Sequence, residues 1–335
     1  MIYLFLYLIF LSSSHASPYT APPPGALIVA KTNATYHTIQ SAINALNTTS
    51  VAPQTIFIHA GTYAEQVSIP LLRSPLTIYG ATNNTFSYAS NTVTLTSSRS
   101  QANTPGGNDA TATLRAWTSD LKVYNLNIVN GYGKGSQAVA LSSQRSGQGY
   151  YGCQFWGYQD TVLVNEGKSL IAGGLVVGVT DFVFGMRGVS WWEGVDVRVL
   201  GAGLGYITAS GRSSATDPSY FVFNNCSVAA SPSATVPAGA FYLGRPWREY
   251  ARVVFQSSHL SNIINPTGWR IWNIGDENTE HVMFGEWGNT GPGAAGNGSV
   301  TKRAKFSTRL DRPVGREEVL GTGWERETWA DRNHF

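Results

Sequence analysis

The sequence predicts an all-β chain wound as a parallel β-helix, with one short helix near its start. Three observations carry that expectation. Short β-branched and aromatic runs punctuated by Gly and Asn fill most of the chain: QTIFIHAGTY, LTIYG, TVTLTS, LKVYNLNIVN, GVDVRVL, YFVFNNCSV and ARVVFQSSHL. Neither tight Asn-Gly hairpin turns nor alternating long helices join them, which argues against a meander and a doubly wound sheet. Strand-like triplets also recur at a step of about 22 residues, from Cys153-Gln154-Phe155 to Leu175-Val176-Val177 and on to Val195-Asp196-Val197. Degenerate repeats of that length mark stacked architectures, in which each coil buries its apolar face on the next.

Taken in order, MIYLFLYLIFLSSSHA (1–16) is an apolar run ending in small-x-small, which suits signal-peptidase cleavage after Ala16 although no Lys or Arg precedes it. A membrane anchor is the alternative, but the run is shorter than the roughly 20 apolar residues that span a bilayer. The Pro-rich SPYTAPPPG (17–25) is expected to run as an extended lead-in outside any sheet or helix. In TYHTIQSAINAL (35–46), Ile39, Ala42, Ile43 and Leu46 fall at helical spacing. Residues 26–335 show no linker before the C-terminal region and are expected to form one domain.

Secretion also fits the charged fraction of 13% and the sequons at Asn33, Asn47, Asn83, Asn225 and Asn297. Two cysteines, Cys153 and Cys226, allow one disulfide or two free buried thiols. No Cys/His cluster has metal-site spacing, so no metal is expected. The net charge of +3 is mild and no basic run is interleaved with aromatics, so neither nucleic acid nor membrane is expected as a partner, and the chain is expected to act as a monomer.

Two carboxylates stand out in "YQDTVLVNEGKSLIAGGLVVGVTDFVFG" (158–185), because Asp160 and Asp181 occupy apolar strand-like surroundings. A lone strand Asp is usually a turn or edge device. These two are 21 residues apart, and Gln137 and Gln159 are 22 apart, each close to one coil. Stacking then makes a ladder of Gln137, Gln159 with Asp160, and Asp181, with the carboxylates about 4.8 Å apart by coil spacing. Like charges so placed repel; one pKa rises and the other group stays ionised, which yields an acid and a nucleophile from one residue type. In YLGRPWREYARVVF (242–255), Arg245 between Gly244 and Pro246 is the candidate counter-cation, with Arg248 and Arg252 as ordinary competitors.

Together QAVAL (137–141), GYQDTV (157–162), DFVFG (181–185) and LGRPW (243–247) resemble the signature segments of pectin methylesterases. GWRIWN (268–273), FGEWGNTGPGA (284–294) and FSTRLDRPV (306–314) bring the resemblance closest to the fungal type. The resemblance implies a right-handed parallel β-helix that hydrolyses C6 methyl esters of homogalacturonan without a cofactor. It further implies Asp181 as nucleophile, Asp160 as general acid then base, Gln137 and Gln159 as oxyanion donors, Arg245 orienting Asp181, and Trp247, Phe184 and Trp269 as substrate contacts. The sequence departs from the family pattern at Val177, commonly acidic, and at Thr180, commonly small and apolar. A pectin-binding β-helix without activity would be marked by loss of Asp160, Asp181 or Arg245, and all three are present. Clustered carboxylates for a calcium-dependent lyase, or a second acid pair for a glycosidase, are not seen.

Overall fold

The computed structural model describes residues 19–295 and 302–334; the expected signal segment 1–16 and the sequon at Asn297 lie outside them. Three parallel sheets of 11, 7 and 8 strands run the length of the molecule, and the chain visits them in turn, one strand per coil. All pairings between named strands are parallel, so each coil stacks on the one before. The expected solenoid is therefore the observed fold. No helix among the described residues is long and apolar enough to cross a membrane.

The step is 21 residues at the centre of the solenoid, and here the register differs by one from the sequence expectation. Gln154, not Cys153, aligns with Leu175, and Leu175 aligns with Asp196 rather than Val195. The reason lies at one corner of the coil, where Asn125, Gly152, Gly173, Gly194, Asn225, Ser257 and Gly288 form a column with φ between 49° and 60°. Glycine and asparagine tolerate the left-handed region, so each coil turns at the same place. The Gly152–Gly173–Gly194 spacing is the sequence signal that sets the register.

Inside the solenoid, aligned apolar residues stack from coil to coil. Trp192 stacks on Phe223 and Phe223 on Phe255, with centroids 5.2 and 4.4 Å apart and planes within 16°. The predicted helix exists but covers only Ile39–Asn44, and it closes the first coil with Ile39, Ala42 and Ile43 buried. Thr38 caps it through the Ser41 amide, while the Ile39 and Gln40 amides donate to the Glu65 carboxylate at 2.8 and 2.9 Å. Those bonds satisfy the free donors of its first turn.

The lead-in does more than run past the sheets: Tyr19 forms an antiparallel bridge with Thr82, and its ring sits 4.5 Å from Tyr79. The bridge bond uses the Tyr19 carbonyl, which neighbouring prolines leave available. On the outer face of the 11-stranded sheet, Val314, Val319, Leu320, Trp324 and Trp329 from the C-terminal segment cover an apolar patch. Gly149 makes room there, since a Cβ would stand 2.4 Å from the Trp329 carbonyl oxygen.

Cys153 and Cys226 are free and buried, so of the two readings the structure selects separate thiols. Burial pushes the Cys153 thiol up to about 12 and raises that of Cys226 as well. Reactivity needs thiolate and access. A thiol reagent is therefore expected to modify neither cysteine in the native protein and both after denaturation; rapid native labelling would contradict this packing.

Candidate active site

The connections from the 8-stranded to the 7-stranded sheet shorten and then lengthen along the solenoid. They span residues 131–140, 157–161, Val179 alone, 200–204 and 231–240 on successive coils. The result is a notch in the wall, deepest at the coil that carries Asp181.

Asp181 lies in the strand Thr180–Gly185 at a β-bulge: Thr180 faces Tyr206 and Val183 faces Thr208, so one strand carries an extra residue. Asp160 precedes the strand Val162–Val164 on the coil before. Gln159 bridges Thr180 and Val162 pairs with Val183, which puts Asp160 in register with Asp181. Both aspartates adopt left-handed backbone, with φ of 65° and 50°. Each such residue costs on the order of 1–2 kcal/mol. Bulge and φ together break the alternation that would bury these side chains among Val and Phe.

Both carboxylates are nevertheless only 6% exposed. Arg245, from the strand Phe241–Pro246, crosses the intervening strand above the small Ala209 with which it is aligned. Its Nε donates to Asp181 Oδ1 at 3.0 Å and its Nη2 to Oδ2 at 2.6 Å. The guanidinium is fixed between two rings, 4.1 Å from Tyr206 and 4.2 Å from Trp272. A planar fork so clamped orients the carboxylate as a flexible ammonium cannot.

Burial first, and then the charge of Asp181, push the Asp160 carboxyl well above the usual range; Arg245 and the Asn108 side chain oppose that rise. Burial also raises Asp181, but there the two bonds and the charge of Arg245 work directly against it. The pair is therefore unequal: Asp160 is pushed further up and favours its protonated form, while Arg245 favours the carboxylate form of Asp181. Because Asp160 gives up its proton at higher pH folded than unfolded, the native state loses stability as pH rises from about 3.8 through the folded value. Asp160→Asn removes that loss, and Asn tolerates the left-handed backbone. The variant should unfold at a higher temperature than the wild type at neutral pH, with the advantage vanishing below about pH 4; an unchanged or lower melting temperature at pH 7 would contradict the burial account.

The Ala138 amide donates to the Gln159 carbonyl at 3.1 Å, so Gln137 and Gln159 sit on adjacent coils beside the carboxylates. Both are partly exposed, and among the described residues neither side chain has a hydrogen-bond partner, which leaves their amide donors free. Phe184 is 3% exposed and packs with Ala112, Val139, Leu163 and Ala209 beneath the partly exposed Trp247 and Trp272. Trp247 fits because Gly211 has no Cβ, which would meet its ring at 2.7 Å.

One expected contact is corrected. Trp269 is 1% exposed and stacks on Phe284 at 4.4 Å in the core, so it faces no groove. Its bridge to Gly244 turns it inward, and the aromatic that GWRIWN places at the site is Trp272. Tyr206, Trp272 and Asn108 were not legible as site residues; the one signal for Trp272 was its place in GWRIWN. Among the described residues, the group of His and carboxylate side chains close enough to share an ion is Glu249, Glu280 and His281, all exposed and including neither Asp160 nor Asp181.

The Pectinesterase family profile matches residues 26–311. A pectinesterase of Aspergillus aculeatus is 45% identical over 329 residues, covering 98% of this chain and 97% of its own. One from Aspergillus niger is 44% identical with the same coverage. Among solved structures, the pectin methylesterase of Aspergillus niger superposes with a TM-score of 0.86 at 36% identity, over 95% of this chain and 100% of that one. The carrot pectin methylesterase gives 0.79 at 25% identity, over 92% and 97%. With fold and sequence alike along nearly its whole length, the chain belongs to the pectinesterase family of carboxylic ester hydrolases, on the side of its fungal members.

Proposed function

We propose that the protein is a secreted pectinesterase that hydrolyses C6 methyl esters of homogalacturonan to pectate and methanol, in modification of plant cell wall and catabolism of pectin. The observation that carries this reading is the pair itself: Asp181 held in the fork of Arg245, with the buried Asp160 in register beside it on the adjacent coil.

Asp181 attacks the ester carbonyl carbon, and the carbonyl electrons move onto oxygen. The amides of Gln137 and Gln159 stabilise that oxyanion; losing one such donor typically costs on the order of 3 kcal/mol. As the tetrahedral centre collapses, the C–O bond to methoxide breaks and Asp160 delivers its proton, releasing methanol. The mixed anhydride on Asp181 is then attacked by water, whose proton passes to the ionised Asp160. Collapse frees the C6 acid and regenerates both aspartates. None of these steps requires a metal or an organic cofactor. Trp247 and Trp272 offer ring faces for the sugars, with Phe184 supporting them from below.

Exposed sequons at Asn33, Asn47, Asn83 and Asn225 support secretion, as does the signal-like segment before the domain at 26–335. Purified protein given highly methylated pectin should release methanol without shortening the polymer, and kcat/KM should be bell-shaped in pH, needing Asp181 ionised and Asp160 protonated. Shortened chains without methanol would replace this reading with that of a lyase or glycosidase.

A further inference from the structure

One coil before the connection at 131–140, the chain passes from the 8-stranded to the 7-stranded sheet through residues 98–113, a longer connection than any that follows. It contains the single-turn helix Gly107–Thr111, entered through Gly106 and Gly107 with φ of 108° and 77°. Side chains of the solenoid pin this helix. Asp109 Oδ2 accepts from Arg115 Nε at 3.0 Å and again from its Nη2, and Asp109 Oδ1 accepts from Ser142 Oγ at 2.8 Å. Gln66 Nε2 donates to the Ala110 and Ala112 carbonyls at 2.9 and 2.7 Å. Arg115 and Ser142 are aligned on adjacent strands of the 7-stranded sheet, so the helix is tied to the sheet that holds Asp160 and Asp181 in register.

Asn108 stands beside that anchor, and its side chain reaches Asp160. Its oxygen is already engaged, because Gln101 Nε2 donates to Asn108 Oδ1 at 2.6 Å. An amide side chain has one oxygen and two N–H donors. With the oxygen turned to Gln101, Asn108 presents N–H to Asp160, and a donor favours the carboxylate over the acid. The other charged groups acting on Asp160 pull in opposite directions: Asp181 disfavours its ionised form and Arg245 favours it. Arg245 commits its paired bonds to Asp181, so hydrogen bonding to Asp160 falls to Asn108.

Building on the reading above, we propose that Asn108 is a positioning residue for the acid–base step: its amide holds the Asp160 carboxyl in place and supports the ionised form that takes a proton from water in the second half of the reaction. The need is particular to a buried acid that works twice. Burial and the charge of Asp181 favour the acid that delivers a proton to methoxide, but unopposed they also disfavour the base that must follow. A donor on a pinned helix opposes them without adding a charge to the site.

The test is a carboxyl ¹³C NMR titration of Asp160 in the wild type, Asn108→Ala and Asn108→Asp, with the pH dependence of kcat/KM and the melting temperature recorded alongside. Asn108→Ala should raise the Asp160 midpoint by about one pH unit, the scale of one hydrogen bond to a charged group. Asn108→Asp keeps the shape of the side chain, replaces its donors with a second negative charge, and should raise the midpoint further. The basic limb of kcat/KM, which needs Asp160 protonated, should move to higher pH with it. A purely structural role predicts a different pattern: the melting temperature falls with the midpoint unmoved, and an unfolded variant titrates near pH 4. An Asp160 midpoint unchanged or lowered in Asn108→Ala would overturn the proposal. Midpoints that rise as expected in a protein that releases no methanol would leave the bond from Asn108 to Asp160 standing and remove the esterase reading.

Discussion

Asp181→Asn should lower methanol release by at least about 10⁴-fold, the scale seen when a covalent nucleophile is removed. Asparagine is the informative replacement because it keeps the shape of the side chain and tolerates the φ of 50° at this position. Alanine there would mix lost chemistry with backbone strain. The amide oxygen still accepts one bond from Arg245, so the strand Thr180–Gly185 keeps its bulge and the variant folds. Methanol release within tenfold of the wild type would show that another group attacks the ester. Circular dichroism and melting temperature read alongside activity separate a lost nucleophile from a lost fold.

Arg245 gives the second large effect, and two substitutions divide its roles. Arg245→Lys keeps the charge but loses the paired bonds at 3.0 and 2.6 Å and the packing between Tyr206 and Trp272. Misorientation of this order costs about 10²-fold, expected mainly in kcat. Arg245→Ala leaves the buried Asp181 without its cation, and breaking such a pair typically destabilises by about 3–5 kcal/mol. Burial then acts unopposed on Asp181, so its pKa rises and the acid limb of kcat/KM moves to higher pH. A normal rate in Arg245→Lys, or an unmoved acid limb in Arg245→Ala, would show that Arg245 does not govern Asp181.

The solenoid and the stacking of its two carboxylates were legible in the sequence because stacking turns spacing along the chain into proximity in space. Asp160 and Asp181, 21 residues apart, are aligned on adjacent coils. The register of the neighbouring sheet differs by one from the spacing of its apolar triplets. The Gly152–Gly173–Gly194 corners that fix it carry no side chain to match. What spacing cannot convey is direction. Trp269 and Trp272 are both aromatic and three residues apart, yet one stacks on Phe284 in the core and the other on Arg245. Only the pairing of Trp269 with Gly244 decides which way each points. Asn108 was hidden for a different reason: it reaches Asp160 from the short helix Gly107–Thr111, in a loop outside the repeat.

The division of labour between the two carboxylates is the central claim, and a carboxyl ¹³C NMR titration of Asp160 and Asp181, assigned through Asp160→Asn and Asp181→Asn, tests it most directly. The account predicts that Asp181 ionises first and that Asp160 keeps its proton to well above the ordinary carboxyl range near pH 4. Asp160 ionising before Asp181, or both titrating together near pH 4, would contradict it.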